Sequence, residues 1–185
     1  MISLKFGDCP NTLSVFNAQN YIFLVSPLKP GEVIFLPYLS GERTPHNNPN
    51  AQGVFFGLRH EHGTKELTQA VLEGVAFAFG DCQKVLLDAG SEINEVSLIG
   101  GGSKSHLWAQ ILASVLERPM IRIESSEMGP ALGAARLAML ATKNGTIEEI
   151  CQRPSIKEIV EPNLKYLPQY REGQERYRRL YTQLE

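Results

Sequence analysis

Val96-Ser97-Leu98-Ile99-Gly100-Gly101-Gly102-Ser103-Lys104-Ser105 is the stretch from which the rest of this 185-residue chain can be read. A short apolar run flows into three consecutive glycines, then a hydroxyl, then an amphipathic segment. That order predicts a buried strand, a tight turn and a helix start. Glycine admits left-handed dihedrals and lets a ligand approach the backbone with no Cβ in the way. The amides of the following helix N-terminus would face the same spot, which suits a polar or anionic group. A nucleotide-side loop and a strand-to-helix turn that merely needs glycine fit this spacing equally well. Two phosphate motifs are excluded. A Walker loop needs Gly directly before Lys-Ser/Thr, but Ser103 precedes Lys104. A dinucleotide fingerprint needs a third glycine where Ser105 stands.

Downstream, Leu107, Trp108, Ile111, Leu112, Val115 and Leu116 form a helical stripe facing a core, with Trp108 read as core rather than ligand platform. Arg118-Pro119 stops that helix, and residues 120–123 read as a strand. Ser126 is placed to cap a last core helix that tolerates Pro130 in its first turn. Gly129, Gly133, Ala134, Ala135 and Ala138 give this helix a small-residue face expected to approach another element, and Asn144-Gly145 ends it. Past Ile150 the apolar pattern breaks at Pro154, Pro162 and Pro168. A final helix over 169–184, rich in Tyr, Arg and Glu, reads as a surface helix with a solvated charged face.

Upstream, residues 13–16 and 21–25 each suggest a short strand. Lys29-Pro30-Gly31 is punctuation, and residues 33–36 read as a buried strand closed by Pro37. Residues 40–53 form a long polar loop, a kind of connection that is more often functional than slack. Within it Glu42 and Arg43 read either as a solvated pair or, with Gly41 allowing close approach, as a place where Arg43 meets an anion. Gly53-Val-Phe-Phe-Gly-Leu58 is strand-like. Thr64 is expected to cap a helix over 65–89, apolar on two faces and so sandwiched between layers. Gly74 inside it costs about 1 kcal/mol relative to Ala, which close packing of another element would explain. Asp88-Ala-Gly-Ser91 matches an Asp-x-Gly-Thr/Ser phosphate motif on paper. That motif joins two strands, whereas this one ends a helix, so Gly90 is read as a C-terminal glycine. The succession of strands and helices predicts an α/β sheet with helices packed on it.

The chain is 43% hydrophobic and 21% charged, enough for a full core. A net charge of -2 gives no footprint for nucleic acid or an anionic membrane. No apolar run approaches the roughly 20 residues of a spanning helix, and the first residues lack a signal-peptide layout. Cys9, Cys82 and Cys151 suggest neither a disulfide framework nor a zinc site, so a reducing cytoplasm is expected. His60-Glu61-His62 lacks helical spacing and a third ligand, so no metal site is expected there. By default His46 and His106 are ordinary polar residues.

Four stretches together resemble the FGGY carbohydrate kinase family. Phe35-Leu-Pro-Tyr-Leu-Ser-Gly-Glu-Arg-Thr-Pro-His46 is similar to the corresponding stretch of its D-xylulose kinases. Gly53-x-Phe-x-Gly-Leu58, seven residues, then Glu66-Leu-x-x-Ala-Val-Leu-Glu73 resembles the family's second signature. Gly100-Gly-Gly-Ser-Lys-Ser-x-x-Trp108 resembles its adenosine-binding segment, and Gly129-Pro-Ala-Leu-Gly-Ala-Ala135 its closing small-residue helix. The resemblance implies a ribonuclease H-like domain of the actin, hexokinase and Hsp70 ATPase type over 31–150, the ATP side of a two-domain enzyme. Residues 1–30 would be atypical and 151–185 a C-terminal extension.

Carried over to matching positions, the resemblance implies adenine and ribose near Gly101, Gly102, Ser103 and His106. It places a phosphate-side loop at Gly41 with Glu42 and Arg43 nearby, and implies ATP with Mg²⁺ in a complete enzyme that phosphorylates D-xylulose. Gluconate, glycerol or another ketose is the alternative acceptor. The resemblance also implies a chain truncated at its N-terminus. It would lack the sugar pocket, the catalytic aspartate and a phosphate-binding hairpin, so it would be inactive alone and bind sugar only if the missing domain is supplied. Since that hairpin would supply central strands, the sheet is expected to be completed by residues near 13–25 or by a second copy in a homodimer. A non-catalytic nucleotide-binding or association module is the other reading.

Overall fold

The computed structural model describes residues 29–124 and 129–185. In chain order the elements are β1 (Ile34–Leu36), β2 (Val54–Phe56), α1 (Thr64–Asp88), β3 (Val96–Leu98), a 3₁₀ turn (Gly101–Lys104) and α2 (His106–Leu116). Then come β4 (Met120–Ile123), α3 (Gly129–Ala141), α4 (Ile147–Ile150), β5 (Ile156–Val160) and α5 (Leu167–Leu184). β1 and β2 pair antiparallel, with Phe35 opposite Phe55. A second sheet runs β3-β4-β5, parallel across the first pair and antiparallel across the second. Both sheets feed one core: Leu36 and Tyr38, Phe77 of α1, Ile111 and Leu112 of α2, Met120 of β4, and Tyr177 and Leu180 of α5.

α1 starts one residue earlier than its sequence pattern suggests. Gly63 is the N-cap and Thr64 the first helical residue, because the Glu66 carboxylate reaches back to accept from the Gly63 amide at 2.9 Å. At its far end the Gly90 amide donates to Leu87 O and the Ser91 amide to Leu86 O, with Gly90 at φ +84°. This is a Schellman close, so the Asp88-Ala-Gly-Ser91 stretch ends a helix. Midway, Gly74 lies against the backbone of β1: a Cβ there would stand 2.1 Å from Phe35 O.

Several elements differ from expectation. β3 is half-buried at Val96 and Leu98 and exposed at Ser97. Among the described residues only β4 pairs with it, so it is an edge where a buried strand is expected. β5 and α4 lie in the region where the prolines obscure any pattern. A capping box, Thr146 with Glu149, starts α4. α5 does more than lie on the surface, since Tyr170, Gln174, Tyr177, Leu180 and Tyr181 repeat at three- and four-residue steps and are buried. Among the described residues the small-residue face of α3 is open at Gly133, where a Cβ would meet none of their atoms within 4 Å. The expected strands at 13–16 and 21–25 and the cap at Ser126 fall outside the described residues. No described helix is long and apolar enough to cross a membrane.

Candidate functional site

Gly100 takes φ +87° at the end of β3, a conformation only glycine adopts freely, and turns the chain into the 3₁₀ turn. The Ser103 amide donates to Gly100 O at 3.1 Å, and the Ser103 hydroxyl donates to the same oxygen at 2.7 Å. Ser105 then caps α2, its hydroxyl accepting from the Trp108 amide at 3.1 Å. Among the described residues no side chain covers this backbone face: a Cβ on Gly100 or Gly101 would meet none of their atoms within 4 Å. On Gly102 it would meet the indole edge of Trp108 at 3.2 Å, so this residue, read as core, also backs the turn. Ser103 is buried, whereas Gly101, Gly102 and His106 are exposed.

The turn is held from behind by residues to which sequence reasoning gave no role. Arg122, in the middle of β4, donates from Nε to Ser103 O at 2.8 Å and from a terminal nitrogen to Lys104 O at 3.0 Å. Its other terminal nitrogen pairs with Glu158 of β5. The second oxygen of Glu158 lies 3.0 Å from His106 Nδ1. The signal in the sequence was an arginine in Met120-Ile121-Arg122-Ile123. A guanidinium is almost never buried unless it is paired.

Gly41, Glu42 and Arg43 form a separate group beyond β1. Gly41 sits at φ +78°, and a Cβ there would come within 2.7 Å of Pro49 O. The Glu42 amide donates to Asn48 O at 2.8 Å, and its carboxylate accepts from the His46 amide at 2.7 Å. Glu42 is thus spent on shaping the loop and does not pair with Arg43, which is exposed. The His46 ring stacks on Tyr181 of α5 at 3.7 Å, and Asn48 Nδ2 donates to the Tyr181 hydroxyl at 3.0 Å. The expected adenosine-side residues therefore share one turn. The expected phosphate-side residues belong to another loop, whose contacts run to α5.

His62 Nδ1 accepts from the Arg59 amide at 3.0 Å, and the described residues contain no group of three or more potential metal-binding side chains. Cys82 and Cys151 are free thiols. Asp81 is buried and paired with Arg178 at 2.6 Å, while Asp88 pairs with Lys84 at 2.8 Å on the surface.

Comparison with known proteins gives this geometry its setting. Residues 18–142 match the C-terminal domain of the FGGY family of carbohydrate kinases. The chain is 47% identical over 154 residues to a xylulose kinase of Escherichia coli K12, covering 82% of this chain and 32% of that protein. A crystal structure of a xyloylose kinase from Brucella ovis superposes with a TM-score of 0.79 at 43% identity, covering 90% of this chain and 35% of that one. A gluconate kinase from Lactobacillus acidophilus gives 0.75 at 28% identity, over 92% of this chain and 35% of that one. The chain thus spans about a third of the length of the relatives it matches. Its fold is that of the sugar-kinase branch of the actin and hexokinase ATPases, with part of the sheet among the described residues. By sequence and by structure, the chain belongs to the FGGY family of carbohydrate kinases and corresponds to its C-terminal domain.

Proposed function

We propose that this chain is the nucleotide-holding part of a xylulokinase-like sugar kinase, with the adenosine of ATP against Gly101, Gly102, Ser103 and His106. The observation that carries the reading is the backbone face at Gly100 and Gly101, where a flat ring would meet no side chain of the described residues. The exposed Arg43 beyond β1 is the cation of the second loop available to meet phosphate oxygens. Mg²⁺, carried on those oxygens, would supply charge neutralisation for the transferred phosphoryl group. In such a transfer the protein chiefly positions groups and stabilises charge.

The carboxylate that orients the attacking sugar hydroxyl is not assigned to this chain. Asp8, Asp81 and Asp88 are its only aspartates, and the two described ones are committed to Arg178 and Lys84. The chain by itself is therefore proposed to bind nucleotide without phosphorylating sugar. Xylulose is preferred as the acceptor of the complete enzyme because, among solved structures, the Brucella ovis xyloylose kinase is 43% identical against 28% for the gluconate kinase.

Calorimetric titration with Mg-ATP and ADP tests the reading. The expected result is saturable binding that Gly101→Leu abolishes while the circular dichroism spectrum and urea midpoint stay unchanged, since the added side chain enters open space. Equal binding by the variant, or no binding by the wild-type chain up to roughly millimolar nucleotide, would refute it.

A further inference from the structure

The glycine turn is held by its own bonds at Ser103 and Ser105 and, from β4, by Arg122, which is only 7% exposed. Burying a guanidinium is unfavourable unless each donor direction is used. Here the fork is shared among Ser103 O, Lys104 O and the Glu158 carboxylate. Arg122 and Glu158 are direct cross-strand partners, and the irregularity in the β4–β5 register falls immediately after Arg122. Glu158 also reaches His106, the first residue of α2. One carboxylate on β5 therefore ties together the guanidinium behind the turn and the helix start beyond it. β5 lies outside residues 18–142, the span that matches the family's C-terminal domain.

We propose that Arg122 and Glu158 are positioning residues for the nucleotide: the strand contributed by the segment after the matched domain fixes the shape of the turn at 101–106. The proposal rests on the reading that nucleotide lies on this turn. Only a planar fork can hold two successive carbonyls and a carboxylate at once, so lysine at 122 keeps the charge and loses the brace. Glu158 is the better probe, because its side chain is 36% exposed and its neutral isostere leaves β5 intact.

Glu158→Gln in the full chain is compared with wild type and with Lys157→Gln, an exposed change on the same strand. Hydrogen–deuterium exchange is read at residues 100–106 without nucleotide, and ATP affinity by calorimetry. Losing a charge-assisted bond is expected to speed exchange at the turn and weaken ATP binding, each by about tenfold. Exchange in α1 and α5 and the urea midpoint should stay near wild type, and Lys157→Gln should change neither readout. Arg122→Lys should reproduce the exchange effect. Unchanged exchange at the turn would overturn the brace. Faster exchange with unchanged ATP affinity would overturn its positioning role. Failure of wild type to bind ATP would refute the nucleotide reading instead, and the exchange data would still judge the brace.

Discussion

Replacing Gly74 by alanine sets two effects of opposite sign against each other. In an open helix the change would gain about 1 kcal/mol from helix propensity. Here the new methyl would stand 2.1 Å from Phe35 O, 3.1 Å from Phe35 C and 3.2 Å from Phe35 Cβ, where ordinary contact begins at 3.4 Å. The nearest atom is a backbone oxygen of β1, so no rotamer change relieves the clash; the strand must move away from α1 by about 1 Å. β1 carries Leu36, which is 1% exposed and packed in the core, so the shift opens well-packed contacts. Overpacking of this kind costs about 1–3 kcal/mol or more. Because backbone rather than a side chain must shift, the upper end applies, and the net loss is about 2 kcal/mol after the propensity gain is subtracted. For a chain of this size that is a fall in Tm of roughly 4–8 °C. Urea unfolding followed by circular dichroism measures it, with Gly133→Ala as the control. On α3 the same methyl meets nothing, and stability should rise by up to about 1 kcal/mol. A Gly74→Ala chain as stable as wild type would refute the claim that the glycine is there for the strand.

Other perturbations test the polar groups in the core. Burial raises the Glu73 carboxyl from 4.5 to about 7, although it accepts from the Gly31 amide at 3.0 Å and from Gln69 at 2.7 Å. A raised acid contributes its full share below about pH 4.5 and loses it as pH rises toward 7, so stability should fall across that window by about 3 kcal/mol. Glu73→Gln should flatten the dependence between pH 5 and pH 8 in urea titrations; a profile equal to wild type would count against the assignment. At the Asp81–Arg178 pair, Asp81 is buried whereas the Arg178 side chain is 40% exposed. Arg178→Ala removes the charged partner of a buried carboxylate, leaving it the Gln174 amide, and should cost about 3–5 kcal/mol. Asp81→Ala leaves a solvated cation and a buried Gln174 amide that keeps Phe77 O, and should cost about 2 kcal/mol. The reverse order in denaturant unfolding would show that the exposed partner is not what compensates the charge.

What could be read from the sequence is what neighbouring residues decide among themselves. The strand, turn and helix start around Gly100 form where the sequence places them, although the strand is only half-buried, because the left-handed glycine and the Ser105 cap are local devices, complete within about ten residues. The closure of α1 at Gly90 follows from the same locality. The family motifs are local too, which is why membership could be read before any fold. Tertiary structure decided who meets whom. Gly74 announced a close neighbour without naming Phe35. Arg122 was read only as part of a strand, and its partner Glu158 lies 36 residues away. The tyrosines of α5 looked like surface until Tyr177 met Tyr38 across 139 residues. β5 was hidden because Ile156 and Ile159 remain more than half exposed, so its place comes from pairing with β4 rather than from an apolar pattern. A residue's type fixes what contact it needs, but the partner that supplies it is set by packing the whole chain, where elements far apart in sequence satisfy each other's buried groups.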